Sequence, residues 1–114
     1  MPFSNYYLEW LKTYKEPTVR ISSMKKYQTY AKNIATMFEE LLLSQITPSI
    51  AQERIITFGH THSSLEATKN IATTIKSSLK DAYVDGYIER DVFGRLKAVS
   101  SKKQTSIQNY LDAQ

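Results

Sequence analysis

Three stretches of this chain carry lysine and arginine with no acid among them, and they are its strongest chemical signal. Between Glu16 and Glu39 lie Arg20, Lys25, Lys26 and Lys32; between Glu66 and Asp81 lie Lys69, Lys76 and Lys80. Between Asp91 and Asp112 lie Arg95, Lys97, Lys102 and Lys103. Acids gather elsewhere, notably at Glu39-Glu40, Glu53 and the turn from Asp81 to Asp91. Stretches of this kind fit one cationic surface, the electrostatic footprint of a partner rich in phosphate. They also fit ordinary solvated helix faces, so the placement of each lysine has to decide.

Lys25 and Lys26 fall in the first turn of an expected helix, where the macrodipole disfavours positive charge. A phosphate bound at that helix end reverses the argument, because backbone N–H groups and lysines then converge on one anion. Ser22 and Ser23 would add hydroxyl contacts. Further on, Lys69, Asn70, Thr73, Thr74, Lys76, Ser77 and Lys80 make a polar helix face rich in short hydrogen-bonding side chains and free of acids. Ordinary exposed helices mix Glu with Lys for local pairing. A face without that mixing suits a helix lying along a nucleic-acid groove, with Lys and Thr on phosphates and Asn on base edges.

Other reactive residue types do not assemble into a site. His60 and His62, two apart in an expected loop without cysteine or an acid cluster, are an incomplete metal site, so no metal is expected. Of the eight tyrosines, Tyr7, Tyr14, Tyr27, Tyr30 and Tyr83 fall on apolar stripes, where packing with a hydrogen-bonded hydroxyl is the default. No Ser/His/Asp order, paired carboxylates, glycine-rich phosphate loop or metal motif occurs, so no catalytic residue and no cofactor is expected.

Four helices must position these groups. The first is expected from about Ser4, as its cap, to Lys15, with Tyr7, Trp10, Leu11 and Tyr14 as its stripe and Glu16-Pro17 as its stop. The second is expected to begin at Ser22 or Ser23 and to bury Tyr27, Tyr30, Ile34, Met37, Phe38, Leu41 and Leu42, with a break near Glu39. Its opposite face carries Lys25, Lys26, Thr29, Lys32 and Asn33. The third starts at Thr47-Pro48 and ends around Phe58-Gly59, leaving His60-Thr61-His62 as a loop. The fourth opens with the capping box Ser63-Ser64-Leu65-Glu66, turns Leu65, Ile71, Ile75, Leu79, Ala82 and Tyr83 inward, and stops at Gly86. Tyr87 and Ile88 should fold back after that stop. Val92-Phe93 and Leu96-Ala98-Val99 read as short extended pieces, and Ser100 to Gln108 has the composition of a linker.

Size and composition agree with this division. A chain of 114 residues with 41% apolar content supports one modest core. Three Gly and three Pro, with many Lys, Glu, Leu, Ile and Ala, favour an all-α domain. Net charge is +4, there is no cysteine for a disulfide or thiolate site, and no apolar run approaches the roughly 20 residues of a membrane span.

The order of these features resembles the N-terminal core-binding domain of tyrosine recombinases, the phage-integrase type with a SAM-like helical fold. The residues that carry the resemblance are Tyr7-Leu8-Glu9-Trp10-Leu11, Ser22-Ser23-Met24-Lys25-Lys26-Tyr27 and Ile46-Thr47-Pro48. The longest is Ile75-Lys76-Ser77-Ser78-Leu79-Lys80-Asp81-Ala82-Tyr83-Val84-Asp85-Gly86-Tyr87-Ile88. Such integrases commonly leave this helix through Asn-Pro, where this chain has Asp91-Val92. Tyr110-Leu111-Asp112-Ala113-Gln114 resembles the start of a catalytic domain. The resemblance implies a four-helix SAM-like orthogonal bundle over residues 1–90 and a basic linker over 91–114. The family's Arg, His, Arg and nucleophilic Tyr would lie beyond Gln114, so no tyrosine here takes the nucleophile role.

By position, the resemblance puts Arg20, Ser22, Lys25, Lys26 and Thr29 on one DNA-facing helix. It puts Lys69, Asn70, Thr73, Lys76, Ser77 and Lys80 on the other, with Arg95, Lys97, Lys102 and Lys103 on the basic exit. The partners it implies are double-stranded DNA at an attachment-site core, the parent's catalytic domain and other integrase protomers on DNA, in a bacterial cytoplasm. The alternative is a helical protein–protein interaction module of phage or mobile-element origin, which would more often present an apolar patch.

Overall fold

The computed structural model describes residues 1–61 and 65–98 of the chain. Its described part is all-α: α1 (Phe3–Trp10), α2 (Ile21–Phe38), α3 (Pro48–Thr61) and α4 (Leu65–Val84), with no strand among the described residues. A π-helical turn, Leu11–Lys15, extends α1, and a 3-10 turn, Leu43–Gln45, precedes α3. The chain start is tied down at an isolated antiparallel bridge between Pro2 and Leu42. There the Phe3 N–H donates to the Leu41 carbonyl (3.0 Å) and the Leu43 N–H to that of Met1 (2.9 Å).

The core gathers one stripe from each helix. Phe3 sits edge-on to Phe38 (4.9 Å between ring centres) and to Tyr7 (6.4 Å). Ile34, Ile55, Ile71, Ile75 and Leu79 complete it, all fully buried. α1 packs on α2, α2 on α3 and α3 on α4. A ladder of side-chain hydrogen bonds then closes α1 against α4. The Tyr7 and Thr74 hydroxyls are hydrogen-bonded to each other (2.8 Å), Trp10 Nε1–H donates to Asp81 (2.7 Å), and the Tyr14 hydroxyl donates to Asp85 (2.6 Å). Tyr7, Trp10 and Leu11 of the expected stripe are buried, but Tyr14 is 40% exposed, a correction: it holds α4 by its hydroxyl and not by core packing.

Several expectations are corrected. Ser4 does not cap α1: the helix starts one residue earlier, Pro2 holds the cap position, and the Pro2 carbonyl accepts the Asn5 and Tyr6 N–H groups. α2 begins at Ile21, because Arg20 is already extended (φ −77°, ψ 162°) and its carbonyl takes the Met24 N–H. Leu42, expected inside, is 36% exposed. α3 does not stop at Gly59. That glycine is buried with no positive φ, so it cannot end the helix, and His60 and Thr61 continue it. Tyr83 is 44% exposed, its ring resting near Phe93. Val92-Phe93 is no extended piece, because Asp91 Oδ1 accepts the Phe93 and Gly94 N–H groups and folds the chain into a turn.

Other expectations are met. Thr47 Oγ1 accepts the Ile50 N–H (3.2 Å), the capping bond of α3. Glu39 ends α2 in a positive-φ conformation (51°). Gly86 (φ 89°) ends α4, with the Tyr87 N–H donating to the Ala82 carbonyl (2.8 Å) and Ile88 folded back into the core, whereas Tyr87, expected to fold back with it, lies 5.1 Å from the Tyr6 ring and stays 54% exposed. The capping serines Ser63 and Ser64, His62, Val99 and everything beyond lie outside the described residues. Just before them, Val92 and Leu96 are buried, and Gln52 of α3 grips the Lys97 backbone at both ends: its Nε2 donates to the carbonyl and its Oε1 accepts the N–H (2.9 Å each).

The buried phenols predict an alkaline limit. Burial, with help from the Asp85 and Asp81 charges at Tyr6, pushes the Tyr6, Tyr7 and Tyr30 pKa values above their ordinary 10.0. At Tyr14 the hydrogen bond to Asp85 does the same. A pKa raised by folding contributes stability that is present below the unfolded value and is lost as pH rises through the folded one. The melting temperature should therefore be level up to about pH 9 and fall above about pH 10. A melting temperature unchanged through the tyrosine titration range would mean these phenols ionise equally well in the fold.

Candidate nucleic-acid interface

α2 carries no acid along its length, and α4 carries only Glu66 and Asp81, at opposite ends. On α2, Ser22, Lys25, Thr29 and Lys32 are exposed. Lys26 is one position round the helix from Lys25, which turns it toward α4. On α4, the 3.6-residue repeat puts Lys69, Thr73, Lys76, Ser77 and Lys80 on one outward face; all are exposed except half-buried Lys76. The buried face of the same helix is formed by Thr68, Ile71, Ala72, Ile75, Ser78, Leu79 and Ala82. Core packing of that stripe is therefore what aims the basic one outward.

The two helices meet across a groove of about 240 Å³. α2 contributes Lys26, Tyr27 and Tyr30 to it, and α4 contributes Asn70, Thr73, Thr74 and Ser77. Trp10 and Lys15 close the end nearest α1. No acid lines this groove. Burial raises the Tyr30 pKa, so that phenol stays a neutral O–H at any physiological pH. The arrangement offers ammonium, hydroxyl and amide donors to an anion and opposes it with no lining carboxylate.

Of the residues singled out from sequence for polar contacts, the groove brings together Lys26, Asn70, Thr73, Thr74 and Ser77, although Thr74, expected on the polar face, is buried with its hydroxyl bonded to that of Tyr7. Lys25, Thr29, Lys69, Lys76 and Lys80 flank it on the exposed helix surfaces, and Arg20 and Ser22 stand at the start of α2. The Thr29 hydroxyl is already committed to the Lys25 carbonyl (3.2 Å). Arg95 and Lys97 are exposed at the chain exit beside α3, away from the groove lining. Lys102 and Lys103 lie outside the described residues. Among the described residues the ion pair found is Arg54 with Glu39, at 3.9 Å, and it is on neither basic face. Among the described residues, then, no lysine of α2 or α4 is held in an ion pair.

Lys15 was missed from sequence, for a physical reason. A repeat of 3.6 residues puts it off the Tyr7–Trp10–Tyr14 stripe, as part of a helix tail before Pro17. The π-turn changes the register: the Glu16 N–H donates to the Leu11 carbonyl (2.7 Å), five residues back, so Lys15 sits over the ring of Trp10. The only local hint was the proline that forbids the helix to continue.

A larger cleft, about 560 Å³, opens between α2 and α3. Met37 and Phe58 line it together with Glu39, Glu53 and Arg54. The two carboxylates there oppose any phosphate, so size does not make it the nucleic-acid site. No group of three or more His, Cys, Asp or Glu that could hold a metal ion occurs among the described residues.

Residues 2–57, which cover α1, α2 and most of α3, match the family model of the phage integrase N-terminal SAM-like domain. Two solved structures extend the likeness through α4. The N-terminal domain of a prophage pi2 integrase from Lactococcus lactis is 26% identical, with a TM-score of 0.78 over 83% of this chain and 90% of that one. A phage integrase fragment from Staphylococcus saprophyticus is also 26% identical, with a TM-score of 0.75 over 89% of this chain and 91% of that one. The four-helix architecture described above is the SAM-like fold of these domains. No curated protein matches the chain.

Proposed function

The chain belongs to the phage integrase N-terminal SAM-like domains and not to the catalytic domains of integrases; from that premise we propose that it binds double-stranded DNA at the core, or crossover, site of a recombination event. The observation that carries the proposal is the pair of acid-free lysine faces, on α2 and α4, on either side of one groove whose described lining is Lys15, Lys26, neutral donors and aromatic rings. In this reading the parent is a tyrosine recombinase of a bacterial prophage or mobile element, acting in the cytoplasm of its host. Strand cleavage falls to a catalytic domain joined through the basic exit, and other protomers assemble on the same DNA. Among the described residues no helix is long and apolar enough to cross a membrane.

A protein–protein module is the second reading, and the exposed Tyr83, Val84 and Tyr87 at the foot of α4 favour it. Those three lie at the C-terminal end of α4 beside Asp81, Asp85 and Glu89, so they do not account for the missing acids along α2 and between Glu66 and Asp81 on α4.

Duplex binding measured over a salt series tests the proposal. Each phosphate contact should add about −0.9 to the log–log slope of affinity against salt, so several contacts give a steep line. A flat response, or no binding at low salt, sinks it. The 114-residue chain should form no covalent adduct with a nicked duplex. In this reading the nucleophilic tyrosine, and the arginines and histidine that stabilise a phosphoryl-transfer transition state, belong to the catalytic domain.

A further inference from the structure

Lys15 is held in an unusual way for a surface lysine. It is half-buried, its ammonium lies 5.3 Å from the centre of the Trp10 ring and 5.6 Å from that of Tyr27, and it makes no ion pair among the described residues. Lys26 approaches the same Tyr27 ring, at 6.0 Å. Both lysines line the groove, and the side chains of Asn70, Thr73 and Ser77 reach it from the α4 side. Glu16 follows Lys15 in sequence but makes no ion pair with it among the described residues, and Asp81 accepts the Trp10 Nε1–H at 2.7 Å.

We infer that Lys15 and Lys26 form a seat for one backbone phosphate of the duplex, between α2 and α4, and that Trp10 is the positioning residue that keeps Lys15 in it. This rests on the DNA-binding reading and adds to it Lys15, which lies outside all three basic stretches, as the partner of Lys26 in one specific contact. Two point charges gathered around one aromatic ring repel each other, and neither is paired with a carboxylate within 4 Å among the described residues. A phosphate does, and it also accepts from neutral donors on the facing helix. The aromatic faces restrain the ammonium without neutralising it, as a carboxylate would. The π-turn is what makes the arrangement possible, and such turns recur at functional sites. Asp81 acts through Trp10: it fixes the indole, and the indole fixes the lysine.

The 114-residue chain suffices for the test. Lys15→Gln should weaken duplex binding roughly tenfold at low salt and make the salt slope shallower by about 0.9, one phosphate's worth. Lys15→Arg should restore most of both, and the circular dichroism and melting temperature of each should stay near those of the parent chain. Trp10→Phe, checked for folding by the same melt, should shift the slope in the same direction, and adding it to Lys15→Gln should cost little further affinity. A duplex carrying one neutral methylphosphonate, moved position by position, locates the contact: one position should weaken binding to the parent chain but not to Lys15→Gln. If every position carries the same penalty in both proteins, or Lys15→Gln leaves the slope unchanged while the parent chain binds with a steep one, the seat is refuted and DNA binding stands. If the parent chain itself shows no salt-dependent binding, the seat falls with the reading beneath it.

Discussion

Replacing Lys25 and Lys26 together by glutamate is expected to reduce duplex affinity about 100-fold at low salt and to flatten the salt slope by about 1.8, two contacts at about 0.9 each. The fold should survive. Both residues stand in the second turn of α2, as its fifth and sixth residues, and not in the first turn expected from the sequence, so the macrodipole has little hold on them. Both are exposed, where a substitution costs little. The loss of Lys26 from the face of Tyr27 costs about 0.5–1 kcal/mol, so the melting temperature should fall only slightly. Anisotropy titrations beside a thermal melt separate the two effects. A folded double variant that binds as the parent chain does would show that this end of α2 never meets phosphate.

Phe38→Ala should cost about 3–5 kcal/mol, the range for emptying a buried aromatic site. Phe38 is 1% exposed and packs edge-on against Phe3, whose own N–H anchors the chain start to Leu41. The ring therefore holds together the end of α2, the start of α1 and the bridge between them, and nothing nearby is free to collapse into the space. Domains of this size have about 5–15 kcal/mol of stability in all, so the melting temperature should fall by more than about 12 °C. DNA binding should return when the variant is cooled below its transition. A loss under about 1 kcal/mol would mean that the Phe3–Phe38 contact is not part of the cooperative core.

Signals that act within a few residues were readable in advance. Pro17 after Glu16, Thr47 before Pro48 and Gly86 after Val84 each carry their consequence in their own backbone chemistry, and helix ends followed them closely. The inward stripe of α4 was readable for the same reason, since Ile71, Ile75, Leu79 and Ala82 repeat at helical spacing. Features decided by a distant partner were not. Ser4 has the chemistry of a cap, but the strand-like pairing of Pro2 with Leu42 sets where α1 begins. Gly59 has the look of a stop, yet its burial keeps α3 running. Tyr83 repeats with the buried residues of α4 and still stays exposed, its ring turned to Phe93 in the exit segment. For the candidate site, the lysine faces could be found by composition, whereas the groove could not. It depends on which flank of α2 meets α4, and on a change of helical register at Leu11–Lys15 that no 3.6-residue repeat anticipates.

The grip of Gln52 on Lys97 turns the chain exit into a brake with some slack behind it. Two hydrogen bonds of this kind contribute together only about 1–3 kcal/mol, so a pull on anything attached beyond Ala98 releases them first. Val92 and Leu96 lie deeper and let go later, since each buried side chain adds about 1.5–3 kcal/mol of resistance. Freed in that order, residues 91–98 would lengthen the tether by up to roughly 26 Å. The helices, and the groove between α2 and α4, would remain in place meanwhile. A module of this construction can keep hold of one object while giving ground to another, with α3 as the post round which the rope is wound.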